Sequence, residues 1–432
     1  MGLVGRHTEL LRRAPSFRWL FLATLGSGLG SALAVIALAV DVFDRTDSNQ
    51  WVAALLLAGF LPTLVIGLLL GPLVDRLPRR STMVASDLLR FVAFVLLPFA
   101  PNAGMVVVLA AVAGFATAFF RPAVYAALPN LVAEDDLPHA NALFQAVENL
   151  TWLIGPVLGG LLVATAGPDL AYWLNAVTFV VSAALIVRIP RPLLQRTRSL
   201  SKGHLKDLAE GFGVVRRSRS LVTVMVAWTI VMVGNAHVNV AEVALAKVSF
   251  GAGDFGFGLL AGAAGLGLVL GSIAAGAWIE SRPIGFVYGG SILLMGVGIG
   301  AAAVSPTIWV AAVCVVVSGF GNGVAAVCNP MFVQRGAPDR LRGRAFTVVM
   351  SVNYAVLGLA MALAGPVTDA FGARWAWGAS AAVYVVAAGA AYVLARGIGE
   401  LRQVEEEDLL PARPAPVRRA ARQVAGVGDR AR

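Results

Sequence analysis

The sequence predicts an all-α polytopic membrane protein, with twelve transmembrane helices in two six-helix pseudo-symmetric halves. Three observations predict it. Apolar residues fill 58% of the 432 positions and charged residues 13%, where soluble domains carry roughly 25% charge. The apolar residues gather in twelve segments, each long enough to cross a bilayer. Features of the first half return in the second at one fixed offset. The 47 glycines suit close helix contact in lipid.

Residues 1–16 are polar and basic. The apolar run Phe17–Val40 exceeds the core of a cleaved signal peptide and reads as a retained first helix. The spans are expected at 17–41, 51–74, 82–100, 105–126, 141–166, 170–188, 220–245, 255–279, 284–303, 307–329, 345–368 and 374–396. Turns such as Pro101-Asn102, Gly167-Pro168-Asp169 and Ser305-Pro306 separate them.

Of the 34 Lys and Arg residues, only Arg45, Lys247 and Arg374 fall in the connections on one face. The rest belong to the termini, the loops of the other face or the adjoining helix ends. The positive-inside rule therefore orients both termini to the cytoplasm of a cell (plasma or inner) membrane. The net charge of +10 is explained by topology and implies no nucleic-acid partner. Cys314 and Cys328 lie ~21 Å apart along one helix, too far to bridge within it. Neither metal-ligand nor nucleophile spacing occurs, so no metal, no cofactor and no enzyme activity is expected. Gly26-Ser-Gly28-Leu-Gly30 has a dinucleotide-loop look but sits inside a span with no strand before it. Without a P-loop, ATP drive within the chain has no support.

The chain divides into an N-terminal six-helix half (1–188), a basic cytoplasmic linker (189–219), a C-terminal six-helix half (220–396) and a cytoplasmic tail (397–432). In the linker, Leu205, Leu208, Phe212 and Val215 recur at helical spacing, which fits an amphipathic helix on the inner surface or a solvated linker. Acidic residues 405–408 followed by three prolines predict a disordered tail. The offset is 205 residues. It carries Gly71 to Gly276, Asp75 to Glu280, Pro78 to Pro283, Gly160 to Gly365 and Gly167 to Gly372. Such duplications build transporters whose halves rock about a central site.

The stretch Gly71-Pro-Leu-Val-Asp75-Arg76-Leu-Pro78-Arg79-Arg80 resembles the loop 2–3 signature of the major facilitator superfamily, with Pro78 where Gly is commoner. Gly155-Pro156-Val-Leu-Gly159-Gly160 resembles the core of its antiporter signature, with Thr151 where a further Gly is usual. Phe120-Arg121-Pro122-Ala123 is similar to the branch with macrolide-efflux and enterobactin-export proteins. The superfamily's helix 4 Arg before a Gly has no match upstream of Gly114. The resemblance implies the major facilitator fold. It also implies a conformational latch of Gly71, Asp75, Arg76, Arg79 and Arg80, with Asp87 and Arg90 of helix 3 in its network. The alternative is a solvated topological loop and a local ion pair. For Gly155, Pro156, Gly159 and Gly160 it implies a seal favouring export, against generic glycine packing.

Two polar stripes point to a substrate or proton pathway. Asn141, Gln145, Glu148 and Trp152 share one face of helix 5, with Asn149 beside them. Trp228, Asn235, Asn239 and Glu242 are spaced 7, 4 and 3 along helix 7. A carboxylate facing lipid is costly, so each stripe is expected to face a cavity or a partner. Glu148, ~11 Å into its helix, is the candidate proton carrier; a structural Glu bonded to Asn or Arg is the plain alternative. Asp41 reads as a solvated end of helix 1. The expected activity is secondary active export of a hydrophobic or amphipathic small molecule by proton antiport with alternating access, by a monomer. A siderophore or secreted-metabolite exporter, and a non-transporting membrane sensor or scaffold, are the alternatives.

Overall fold

The computed structural model describes residues 9–69, 77–194, 204–338 and 341–396. Twelve helices among them are long and apolar enough to span a membrane. They are α1 (Pro15–Thr46), α2 (Asn49–Leu69), α3 (Arg79–Leu96), α4 (Ala103–Ala127), α5 (Leu137–Ala166) and α6 (Pro168–Val187) in the first half. The second half holds α7 (Arg219–Ala244, prolonged by a π turn Leu245–Ser249), α8 (Gly253–Ser281), α9 (Ile284–Val304), α10 (Ile308–Gly336), α11 (Arg342–Phe371) and α12 (Ala373–Ala395). A linker helix, His204–Arg217, stands between the halves in sequence. No strand occurs among the described residues.

Helix ends follow local chemistry. Asn102 accepts from the Met105 amide at 3.0 Å and starts α4, while Ser218 and Thr307 cap α7 and α10 in the same way. Several helices outrun their apolar windows. The expected end of the tenth span at 329 is passed, and α10 continues through Pro330 to Gly336. In a bilayer an unwound backbone finds no water, so a helix persists past a proline that would end it in a soluble protein.

The 205-residue repeat holds in three dimensions. α1 packs on α5 and α6 as α7 packs on α11 and α12. The pairs α2–α4, α3–α4 and α3–α6 return as α8–α10, α9–α10 and α9–α12. Gly167 and Gly372, equivalent at the offset, close α5 and α11 with φ of +76° and +87°. A side chain would strain both turns.

Among the described residues two pairs make most of the contact between the halves, α2 with α11 and α5 with α8, and they too are exchanged by the repeat. Their contacts lie between mid-bundle and the face away from the chain ends, here called the far face. At the far end Ser48, Asn49 and Gln50 bond Asp369. At mid-bundle Phe60 meets Tyr354 with ring centroids 5.2 Å apart. Toward the face with the chain ends, the terminal face, Arg121, Tyr125, Asn141 and Gln145 are exposed.

Candidate functional site

A partly exposed charged constellation joins α4 to α5. Arg121 and Tyr125 are one turn apart on α4 and so share a face. Arg121 Nη2 pairs with Glu148 Oε1, and Tyr125 Oη donates to the same oxygen at 3.0 Å. Glu148 Oε2 has no donor among the described residues. The Glu148 side chain is 32% exposed and that of Arg121 56%, so solvent or a solute reaches both. Since α5 begins at Leu137, Glu148 lies ~16 Å along it rather than ~11 Å. The arrangement is a carboxylate held between a cation and a phenol, able to trade either partner for a proton or another donor.

The other residues of the α5 stripe turn to each other or to their own helix. Gln145 Nε2 donates to Asn149 Oδ1 at 3.2 Å, and Asn141 Nδ2 to the Leu137 carbonyl at 2.9 Å. The Trp152 side chain lies outside the described set. The α7 stripe splits. Trp228 packs on the core, and Asn235 Oδ1 accepts from Tyr384 Oη of α12 at 2.6 Å, inside the second half. Only Asn239 is exposed, with Glu242 half-buried. The four positions fall within about 60° of one face of α7, but α12 packs against part of that face and takes Asn235.

Asp87 and Arg90 are buried and pair with each other. Ser182 Oγ of α6 donates to Asp87 Oδ2 at 2.7 Å. The Arg90 guanidinium lies 4.2 Å from the Phe120 ring and 4.4 Å from the Phe179 ring. Their described partners are thus on α3, α4 and α6. Gly71, Asp75 and Arg76 lie outside the described residues. Arg79 Nη1 donates to the Leu194 carbonyl of the linker at 3.4 Å and Arg80 to that of Val187 at the end of α6.

The Gly-Pro stretch of α5 sits where the halves meet. A methyl group on Gly155 would come 2.3 Å from Ala32 Cβ of α1, and one on Gly160 2.7 Å from Gly258 Cα of α8. Gly365, the repeat partner of Gly160, packs as closely on Gln50 of α2.

All three far-face cations are bound. Arg45 bonds Asp41 at 2.8 Å and the Ala100 carbonyl at 2.7 Å. Arg374 bonds the Ala303 and Ser305 carbonyls, each at 2.8 Å. Lys247, seated in the π turn, bridges Asp44 of the first half and Asp254 of the second, the latter at 2.6 Å. Asp369 of α11 accepts the Asn49 amide at 2.7 Å and the Gln50 amide at 3.2 Å, capping α2 across the interface. Asp41 is buried rather than solvated, because Tyr172 of α6 reaches it at 3.0 Å.

Arg121, Tyr125 and the Asp44–Lys247–Asp254 bridge were not singled out as site residues from the sequence. Arg121 stood in the FRPA stretch, and its four-residue spacing to Tyr125 was the available signal.

A duplicated twelve-helix bundle whose described halves meet toward the far face, with a partly exposed Arg121–Glu148 pair toward the other, has the architecture of a membrane transporter. The profile described as Major Facilitator Superfamily matches residues 20–354 and 230–426, and the chain belongs to that family. It is 30% identical over 378 residues to the multidrug efflux pump Tap of Mycolicibacterium fortuitum, covering 84% of this chain and 91% of that protein. It is 24% identical to macrolide efflux protein A of Streptococcus pyogenes, over 79% of this chain and 86% of that one. Among solved structures it superposes on a bacterial homologue of the iron transporter ferroportin in the inward-facing state, with TM-score 0.71, 16% identity and coverage of 88% and 98%. A peptide transporter POT gives TM-score 0.76 at 12% identity, covering 90% of this chain and 96% of that one. These two likenesses concern the fold.

Proposed function

We propose that the protein exports hydrophobic or amphipathic, drug-like small molecules from the cytoplasm in exchange for protons. Similarity to two efflux proteins along most of the chain supports the export of such compounds. The observation that carries the mechanism is Glu148 held by Arg121 and Tyr125 and still partly exposed; we take the space they face as the transport cleft. With the termini cytoplasmic, the closed far face is the external gate and the cleft opens inward. In this state ionised Glu148 is satisfied by Arg121 and Tyr125, and the cleft can admit a solute. When the halves rock, the cleft faces outward, the solute leaves and a proton reaches Glu148. Protonation removes the charge that holds Arg121, so the pair reforms only after the proton is released inside.

The Gly155–Gly160 contacts keep α1, α5 and α8 close and support the reading of that stretch as a seal. Asn239 and Glu242 are the α7 residues retained for the pathway. The latch reading of Gly71, Asp75, Arg76, Arg79 and Arg80 rests on the signature; of these, Arg79 and Arg80 bond the linker at Leu194 and the end of α6.

Proteoliposomes with an imposed pH gradient test the proposal. Uptake of a fluorescent dye or a macrolide into inside-out vesicles should rise with the gradient in wild type and lose that dependence in Glu148→Gln. Flux indifferent to the gradient would remove proton exchange, and no flux for any solute would remove export itself.

A further inference from the structure

The linker helix meets the start of α7 around an open pocket of about 470 Å³. Phe212, Gly213, Val215 and Arg216 of the helix line it, with Val222 and Met225 of α7. Every lining side chain but Arg216 is apolar, and none comes from the first half, where the Glu148 cluster lies. The helix is fastened on α11: Glu210 pairs with Arg344, and Gly211 comes so close that a methyl group there would sit 2.8 Å from the Arg344 carbonyl. The pocket side is uncovered. Phe212 is 50% exposed, and a methyl group on Gly213 would meet nothing within 4 Å. Arg216 is exposed and stands three residues before α7 begins at Arg219. The guanidinium therefore lies at the rim where the chain enters the membrane, with the apolar walls running inward from it.

A groove of this kind matches one solute class. Apolar walls at the depth of the acyl region suit a hydrocarbon chain, and a cation at the headgroup level suits a phosphate. The sequence around the groove is basic, with Arg216, Arg217 and Arg219, and Glu210 pairs with Arg344, which favours an anionic over a cationic amphipath. We propose that this groove is a binding site for an acidic phospholipid of the terminal-face leaflet, one acyl chain lying along Phe212, Val222 and Met225 and the phosphate on Arg216. A lipid seated there would tie the linker helix, and through Arg344 the end of α11, to the membrane surface.

Native mass spectrometry of the full chain, titrated in micelles with phosphatidylglycerol or phosphatidylcholine, tests the site. Wild type should bind phosphatidylglycerol about fivefold more tightly, the contribution expected of one basic side chain near the headgroups. Arg216→Gln should abolish the preference while leaving some binding of both lipids. Met225→Trp, which fills the groove and keeps the charge, should lose this site for both. Phe212→Ser, at an exposed position, should weaken both without disturbing the fold. Arg282→Gln, elsewhere on the same face, should behave as wild type. Equal binding of the two lipids by wild type, or unchanged phosphatidylglycerol binding in Arg216→Gln and Met225→Trp, overturns the proposal. So does displacement of the lipid by a transported dye, which would make the groove part of the transport cleft. Loss of transport with lipid binding intact would count against the export reading alone.

Discussion

The two halves share one scaffold and differ in where they carry charge. In the first half Asp87, Arg90 and Ser182 form a buried polar knot. At the 205-residue offset the second half has Ile292, Met295 and Ala387, all buried. Glu148, Arg121 and Tyr125 correspond in the same way to Asn353, Ala326 and Pro330. Asn353 is buried and meets Thr229 of α7 at 2.8 Å. The helix packing is the same on both sides, so it does not require the ions. A buried ion pair is weak evidence for stability, and apolar residues of similar volume often serve as well. The charges of the first half are better explained by what the molecule does than by how it folds.

The largest effect expected is on the buried knot. Asp87→Ala leaves Arg90 buried and unpaired, and should destabilise the protein by about 3–5 kcal/mol. Thermal unfolding in detergent would register this as a large fall in Tm. Transplanting the second half's residues, as Asp87→Ile, Arg90→Met and Ser182→Ala together, should restore most of the stability. If transport stays impaired in that triple variant, the knot serves function; if stability is not regained, the two halves are not interchangeable scaffolds.

Next comes the cleft. Glu148→Gln should reduce gradient-driven flux at least about tenfold, equivalent to ~1.4 kcal/mol. Its repeat counterpart, Asn353→Ala, should mainly loosen α7 against α11. Similar losses of proton coupling in both would erase the functional asymmetry.

A smaller effect is expected at the far face. Lys247→Met removes both bonds of the bridge, but Asp44 is half exposed, and pairs open to solvent are worth only ~0.2–1 kcal/mol. A shift of the conformational equilibrium toward far-face opening of a few fold is expected, read by distances between spin labels on the two halves. No shift would confine the gate to Asp369 and the glycine contacts. Smallest of all, Gly276→Ala should be neutral within about 0.5 kcal/mol, because a methyl group there meets nothing within 4 Å. Gly160→Ala and Gly365→Ala, which press on the opposite half, should each impair closure of the far face.

Much of this architecture was legible in the residue pattern. Twelve apolar segments declare twelve helices because a bilayer leaves few alternatives. The offset that aligns Gly160 with Gly365 also aligns their packing, since close approach needs the missing side chain in both halves. The site was legible only in part. Glu148 stood out as a carboxylate inside a span, but its partners lie 23 and 27 residues away on another helix, and no periodicity reports which α4 residue faces α5. Asp41 reads as solvated from its place near a helix end. Tyr172, from a helix far along the chain, buries it. Asn235 looked like part of a continuous stripe until the position of α12 gave it to Tyr384.

The three cations on the far face also bear on how the chain enters the membrane. In the proposed orientation Arg45, Lys247 and Arg374 must be carried outward during synthesis, against the usual retention of positive charge. Each has an acceptor made before it emerges: Asp41 for Arg45, Asp44 for Lys247, and the Ala303 and Ser305 carbonyls for Arg374. Assembly can thus proceed in chain order, each exceptional cation meeting its counterpart on arrival.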